Sequence, residues 1–254
     1  MAMEAAGEVL YDVHGQTVVI TLNRPRQLNA INNAVCEQLE DAYRRFETDP
    51  ALRVAILTGA GDRAFSAGRD LKEAVPGVPL RTLPVPGDTV TLSKPLIAAV
   101  NGSAVGAGWV FAQACDLCIA ADTAVFGIAE ARVGRGLHWT PPLVHMVGSR
   151  LALELMLTGR TIDARRAHAI GFVNQVVPRA ELLPAALATA EEIIACAPLS
   201  VVNARRMVRH AMNMGVDAAL ETGRQLAVPL YASEDAQEGP RAFREKRKPV
   251  WQGR

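Results

Sequence analysis

The amino-acid sequence predicts an α/β fold that continues into a mostly helical C-terminal region. In the first half, short apolar and β-branched runs alternate with helix-like segments, which is the pattern of strands packed against helices. In the second half, longer helical patterns are interrupted at Pro198, Gly215 and Ser233. The 254 residues are 50% hydrophobic and 21% charged, a composition typical of a globular protein with one large domain or two small ones.

Local signals place the elements of the first half. Residues 18–22 form a β-rich run that ends at a proline-containing turn. Asn32 or Asn33 can cap a helix that extends to Phe46, because apolar residues recur on one face after them. The remaining predicted elements are three apolar strands and one helix after a glycine turn: 54–58, 96–100, 117–121 and a helix from about Gly106.

The second half begins with a short helix that Asp163 can cap, followed by a strand over residues 172–177 that Pro178 ends. We expect a boundary at this point. Residues 1–178 would then form one domain, and residues 179–254 would form a second, helical region.

Residues 74–93 are rich in proline and glycine, which opposes both a helix and a central strand. Such a long loop either flanks a binding site or lies on the surface without a function. Its composition does not identify a substrate.

Composition and charge exclude several classes of protein. The formal net charge of +1 provides no global field to attract nucleic acid or a membrane surface. No apolar run approaches the ~18 residues of a membrane span, and the N-terminus lacks the basic region of a secretory signal. We therefore expect a cytoplasmic protein with no nucleic-acid or membrane partner. Cys115 and Cys118 form a CxxC without a second pair, so we expect buried thiols and no metal site.

Two segments rich in glycine and small residues are the most informative feature of the chain. They are AFSAGRDL at residues 64–71 and AAVNGSAVGAGW at residues 98–109. Glycine lets the backbone come close to another group, because it has no Cβ and tolerates positive φ. Two such segments can each direct one backbone N–H at the same oxygen, which is how an oxyanion formed from a thioester is stabilised.

These segments resemble the signatures of the crotonase superfamily, the enoyl-CoA hydratase/isomerase family. FSAGRDLKE resembles the first signature and NGSAVGAG the second. Four further segments resemble family segments in the same order: LNRPRQLNAIN, CDLCIA, LTGRTIDARRAHAIGFVNQVVP and SEDAQEGPRAFREKRKPVW. The resemblance covers nearly the whole chain. It implies a spiral of ββα units with a C-terminal helical trimerisation region, a homotrimer or hexamer, a coenzyme A thioester as substrate and no permanently bound cofactor.

The resemblance also implies roles for individual residues. The backbone N–H groups of Arg69 and Ala107 would form an oxyanion hole, and Glu130 would be the acid and base. Asp70 is expected to cap or form a salt bridge rather than transfer a proton. The basic last helix either contacts the nucleotide of coenzyme A or is only a solvated face. Contacts with coenzyme A or the acyl group are implied for Arg26, Leu28, Ala67, Gly68, Asp70, Leu71, Gly106, Phe243 and Lys246.

The chain departs from the hydratase pattern at two places. Val110 stands where hydratases of the family carry the first of two glutamates, and it cannot transfer a proton. After Glu130 the family usually has a proline- and glycine-rich turn, whereas this chain places the bulky His138 and Trp139 there. His138 is either a substitute acid or base or a structural residue.

These departures keep more than one function open. Hydration needs a base for the water and an acid at Cα, whereas a double-bond shift needs one carboxylate that takes and returns a proton. The residues therefore suit an isomerase at least as well as a hydratase. Dehydration, thioester hydrolysis or decarboxylation would use the same enolate. A non-catalytic acyl-CoA-binding protein is the alternative outside enzymes.

Overall fold

The computed structural model describes residues 7–73 and 80–254. The predicted proline-rich loop therefore lies partly outside the described residues, at 74–79. Residues 80–93 contain turns and one β-bridge, between Pro86 and Val90. The chain divides into two compact units, a first unit that ends at Ala190 and a second unit, Glu191–Arg254.

The described residues of the first unit form two β-sheets. Its strands, in chain order, are β1 (Val9–His14), β2 (Thr17–Leu22), β3 (Val54–Gly59), β4 (Ala64–Ser66), β5 (Leu96–Val100), β6 (Ser103–Val105), β7 (Leu117–Ala121), β8 (Val125–Gly127), β9 (Thr161–Asp163) and β10 (Gln175–Val177). The larger sheet has the order β1-β2-β3-β5-β7-β10, and only its β1–β2 pair is antiparallel. The smaller sheet has the order β4-β6-β8-β9, in which β8 and β9 are antiparallel.

The helices lie between and after these strands. They are α1 (Asn33–Thr48), α2 (Ala107–Ala114), α3 (Pro141–Val147), α4 (Ser149–Thr158), α5 (Ala164–Ala169), α6 (Leu182–Ile194), α7 (Pro198–Asn213), α8 (Val216–Tyr231) and α9 (Glu234–Arg244). In the described part of the chain, no single helix is long and apolar enough to cross a membrane. Residues 179–194 and 198–213 meet that criterion only as a bent pair, by length and composition.

Most of the elements predicted from the sequence are confirmed. The four predicted strands of the first half correspond to β2, β3, β5 and β7, and Asn32 caps α1 by accepting a 2.8 Å hydrogen bond from the N–H of Val35. Asp163 caps α5 through the N–H of Arg166. The predicted strand over 172–177 is shorter than expected, since only its last three residues pair with β7.

Aromatic side chains fill the core beside α2. The ring of Trp109 lies 4.4 Å from that of Phe172 and 6.1 Å from that of Phe126, and all three side chains are buried. Phe172 is therefore a core residue just before β10 rather than part of the strand. Because α2 is anchored through Trp109, the position of its first turn is fixed against the smaller sheet.

Candidate active site

The two glycine segments lie against each other. A Cβ on Gly68, where φ is +95°, would lie 2.9 Å from the carbonyl oxygen of Val105 and 3.3 Å from the nitrogen of Ala107. A Cβ on Gly108 would overlap the carbonyl oxygen of Ser66. The backbones of β4 and α2 are therefore in direct contact, which only glycine at these two positions permits.

Two backbone N–H groups are available at this contact. The N–H of Ile31 donates to the carbonyl of Gly68 at 2.8 Å, and the N–H of Asp70 donates to the carbonyl of Ile31 at 3.0 Å. The N–H of Arg69, which lies between these two bonds, takes part in neither of them. Ala107 is the first residue of α2, so its N–H has no acceptor within the helix. Neither N–H donates a hydrogen bond within residues 7–73 and 80–254.

The loop before α1 supports the first of these donors. Leu28 and Asn29 both have positive φ, at 53° and 54°. The carbonyl of Leu28 accepts a 2.9 Å hydrogen bond from the N–H of Ala67, and the hydroxyl of Ser66 donates to the carbonyl of Asn29 at 2.8 Å. The buried Asn29 amide donates to the carbonyl of Ala64 at 2.7 Å. These bonds hold the segment in place before Arg69.

Glu130 brings a carboxylate to the second glycine segment. It begins a short 3-10 turn after β8, and a Cβ on Gly106 would lie 3.4 Å from its Oε1. Its Oε2 is buried and has no hydrogen-bond partner among the described residues. Burial raises the pKa of Glu130, and its own N–H, the side chain of Trp139 and the N–H of Ala129 oppose that effect without cancelling it. A carboxylate with a raised pKa next to a pair of N–H donors is suited to moving a proton.

Val110 supplies no second acid at this place. It lies one turn into α2, where its N–H donates to the carbonyl of Gly106, and its side chain is buried. Asp70 is occupied by an ion pair, 2.9 Å from Nη1 of Arg24. Burial would raise the pKa of Asp70, but Arg24 and the N–H of Lys72 together lower it. This is the salt-bridge role expected from the sequence, and it leaves Glu130 as the carboxylate that faces Gly106.

The two bulky residues after Glu130 differ in their surroundings. His138 is exposed, whereas Trp139 is half-buried and its side chain lowers the pKa of Glu130 against the effect of burial. Arg26 and Leu71 are exposed at short 3-10 turns, Pro25–Gln27 and Leu71–Glu73. Within the described residues, no group of three or more His, Cys, Asp or Glu side chains is arranged to hold a metal.

Two predicted contacts with the nucleotide belong to the second unit. The side chain of Phe243 is 86% exposed near the end of α9. Lys246 follows that helix with φ of 53°, an uncommon conformation for a residue other than glycine. Within the second unit, the side chain of Phe243 is therefore exposed, and the backbone of Lys246 is in a left-handed conformation.

Gln113 makes two hydrogen bonds near the end of α2 that the sequence interpretation did not predict. Its buried amide donates a 3.0 Å hydrogen bond to the carbonyl of Trp139 and accepts one from the indole N–H of Trp109 at 3.3 Å. A polar residue in the otherwise apolar helix AGWVFAQA, three positions after Val110, was the available signal. It did not reveal a partner twenty-six positions later in the chain.

The strand–helix arrangement, the facing glycine segments and the buried carboxylate together define the class, a crotonase-fold enzyme. The profile of the enoyl-CoA hydratase/isomerase family matches residues 13–254, and the chain belongs to this family. The chain is therefore an acyl-CoA-processing enzyme, and the family match confirms the resemblance seen in the sequence.

Relatives and solved structures agree with this assignment. The chain is 38% identical to a carnitinyl-CoA dehydratase of Citrobacter koseri, over 95% of this chain and 97% of that protein. It is 36% identical to the enoyl-CoA hydratase EchA19 of Mycobacterium tuberculosis, over 99% of both. The crystal structure of enoyl-CoA hydratase EchA1 from Mycobacterium marinum matches with a TM-score of 0.91 and 37% identity, over 98% of this chain and 100% of that chain.

Proposed function

We propose that the enzyme shifts the double bond of an enoyl-CoA by moving one proton on Glu130. The carboxylate takes a proton from C2 of a 3-enoyl-CoA, the electrons delocalise onto the thioester oxygen, and the same group returns the proton to C4. The observation that carries this proposal is that Glu130 is the one carboxylate found near Gly106 among the described residues, with Val110 in place of a second acid.

The N–H groups of Arg69 and Ala107 would stabilise the charge on the thioester oxygen. Loss of one donor from such a pair typically costs ~2.7–4 kcal/mol of transition-state stabilisation. The positive end of α2 adds to the effect because Ala107 is its first residue. Both donors are backbone groups, so the glycines beside them set the geometry.

Substrate binding and assembly complete the proposal. The family resemblance implies that coenzyme A and the acyl chain contact the following residues of the first unit: Arg26, Leu28, Ala67, Gly68, Asp70, Leu71 and Gly106. It implies contacts with the nucleotide for Phe243 and Lys246 of the second unit. We propose a homotrimer or a hexamer, with residues 1–178 as the catalytic domain and residues 179–254 as the region of subunit contact.

Two substitutions test the proton transfer. Glu130→Gln keeps the shape of the side chain but removes its basic oxygen, so isomerisation of a 3-enoyl-CoA should fall roughly 10²–10⁴-fold. Val110→Glu should raise hydration of a 2-enoyl-CoA if a second carboxylate is what hydration lacks. Both activities are measured for wild type and both variants.

Binding of acetoacetyl-CoA by calorimetry is the control, because its enolate resembles the charged intermediate and needs no Glu130 chemistry. Its affinity should persist in Glu130→Gln. Isomerisation that is unaffected by Glu130→Gln would contradict the assignment. Tight acetoacetyl-CoA binding without any turnover would instead identify an acyl-CoA-binding protein.

Dehydration of a 3-hydroxyacyl-CoA is the second candidate, favoured by the 38% identity to a carnitinyl-CoA dehydratase. Here Glu130 would remove the C2 proton, and hydroxide would leave from C3 with a proton supplied to it. One carboxylate must then perform both tasks. Wild-type turnover of a 3-hydroxyacyl-CoA that exceeds 3-enoyl-CoA isomerisation would favour this reaction.

A further inference from the structure

Glu130 begins a turn whose backbone hydrogen bonds close on the turn itself. The carbonyl of Glu130 accepts hydrogen bonds from the N–H of Gly134 and, at 2.9 Å, from the N–H of Arg135. The residues that follow Glu130 in this turn, 131–136, are all exposed. The position of the Glu130 carboxylate therefore depends on what holds the turn as a whole.

The side chain of Arg132 joins this turn to a helix. Its Nε donates a 3.1 Å hydrogen bond to the carbonyl of Thr158, the last residue of α4. Within residues 7–73 and 80–254, this is the only hydrogen bond between residues 130–136 and another helix or strand. The last carbonyls of a helix have no partner within it and carry its negative end, so a guanidinium is a well-matched donor for them.

The stem of Arg132 also packs against Gly159, which follows directly after α4. Gly159 is buried and has φ of +59°. A Cβ on Gly159 would lie 2.8 Å from Cγ and from Nε of Arg132. The arginine therefore fills the space that a side chain at position 159 would need, and its stem and its guanidinium contact the end of α4 together.

We propose that Arg132 is a positioning residue for Glu130, because it fixes the turn that carries the carboxylate to the end of α4. The inference rests on the proposed function, in which Glu130 moves the proton. Oε1 of Glu130 lies 3.4 Å from the place of a Cβ on Gly106, at the start of α2. A displacement of about 1 Å can cost a large part of the rate, because a reacting group must be held at a defined distance from its target.

Arg132→Met tests this role, because it keeps an apolar stem and removes the donor. We expect kcat for 3-enoyl-CoA isomerisation to fall about tenfold. KM should stay unchanged, because the two backbone donors that bind the thioester are intact. Arg132→Lys keeps a charged donor of similar reach and should recover part of the loss. A kcat of Arg132→Met equal to that of wild type overturns the proposal.

A double-variant cycle with Glu130→Gln shows whether the effect passes through the carboxylate. Arg132→Met added to Glu130→Gln should cause no further loss of kcat, because no basic oxygen is left to position. The same fold-loss in both backgrounds contradicts the proposal, since Arg132 would then act on something other than Glu130.

Arg160→Met is the matched control. Arg160 is an exposed arginine beside the same helix end, and its Nη1 lies 3.4 Å from Oε1 of Glu154. Its substitution removes a charge near the end of α4 without touching the bond to Thr158, so kcat should not change. An equal loss of kcat in Arg160→Met and Arg132→Met would refute the proposal, because it would assign the effect to the missing charge.

Two glycines provide an independent test that leaves the arginine in the chain. Gly159→Ala should displace the side chain of Arg132, lower kcat as Arg132→Met does, and cause no further loss of kcat when combined with it. Gly148 also has a positive φ, of 77°, but a Cβ there would have no described atom within 4 Å. Gly148→Ala should therefore lose stability without losing kcat. Equal losses of kcat in the two alanine variants would reduce the effect to backbone strain and overturn the proposal.

Hydrogen exchange tests the inference without turnover and so separates it from the proposed function. In Arg132→Met, the N–H groups of Gly134 and Arg135 should lose protection, whereas the amides of β5 and β7 should keep theirs. Unchanged protection of the turn overturns the inference, whatever the activity. Absence of wild-type turnover would refute the proposed function, and the exchange result would still decide whether Arg132 holds the turn.

Discussion

At the scale of single residues, Gly108 and Gly136 differ in what an added methyl group would meet. A Cβ on Gly108 would overlap the Ser66 carbonyl, whereas one on Gly136 would have nothing within 4 Å. We expect Gly108→Ala to push the two donor segments apart and to destabilise the protein by more than the ~1–3 kcal/mol of ordinary overpacking. Acetoacetyl-CoA affinity should fall with it.

Gly136→Ala is the comparison for that prediction, and it should change neither property measurably. Urea unfolding and calorimetry on both variants provide the measurement. Equal stability and equal affinity of Gly108→Ala and wild type would show that the close approach of the two backbones does not require glycine at position 108.

The residues of the site were predictable from the sequence to different degrees. Gly68 and Gly106 indicated a close backbone approach, since few other residues allow it. Glu130 was found through the family resemblance. The hydrogen bond from Gln113 to the carbonyl of Trp139 was not predicted, because a sequence does not indicate which backbone carbonyl a side chain will contact.

At the scale of elements, the side chain of Glu238 in α9 connects this helix to the C-terminal segment, residues 247–253. Its buried carboxylate accepts hydrogen bonds from Arg241 at 2.6 Å, from Arg247 at 2.5 Å and from the N–H of Val250 at 2.8 Å. Asp235 adds bonds from two further N–H groups of the segment. Lys246, with φ of 53°, lies between the end of α9 and this segment.

These interactions of Glu238 make the stability of the second unit depend on pH. Arg247, the N–H of Val250 and Arg241 lower the pKa of Glu238 against the opposing effect of burial. A carboxylate with a lowered pKa stabilises the folded state above its unfolded pKa, and the contribution is lost as the pH falls through the folded value. Glu238→Gln should therefore lower Tm at neutral pH.

The Tm difference between Glu238→Gln and wild type should shrink as the solution is acidified. Glu234→Gln is the control, because its ion pair with Arg254 is exposed and contributes little. Thermal unfolding across the acid range provides the measurement. A difference for Glu238→Gln that does not depend on pH would show that its charge is irrelevant.

The longer elements were predictable because their signals are local. Strands β2, β3, β5 and β7 are apolar runs, and the cap of α1 is an asparagine before an amphipathic pattern. The short strand β9 has exposed ends and no apolar alternation, so its pairing with β8 could not be predicted. The strand predicted at β10 began too early, at Phe172, because an aromatic residue in the sequence is compatible with a strand and with a core loop alike.

At the scale of the whole molecule, the order of strands is what the sequence could not provide. Strand β10 pairs with β7, and the strands between them in the chain include members of the other sheet. Such pairings depend on contacts between distant segments, and the periodicity of one segment carries no information about them. The family resemblance supplied the expectation of the crotonase fold, which the comparisons confirmed.

The second unit leads to the last prediction, a trimer or a dimer of trimers. Helix α7 has no buried residue and α8 has only Ala219, within this single chain. Large apolar side chains on these helices are exposed instead: Val208, Val216, Leu220, Val228 and Tyr231. Covering such a side chain with another subunit gains ~1.5–3 kcal/mol.

Light scattering at micromolar concentration should therefore give the mass of three or six chains. Leu220→Asp should shift the population toward smaller species, because it places a charge in the predicted contact. Val13→Asp is the matched control, since Val13 is an exposed apolar residue on β1 of the first unit. It should leave the mass unchanged. A monomer for the wild type would contradict the assembly, and a smaller species for Val13→Asp alone would place the contact on the first unit.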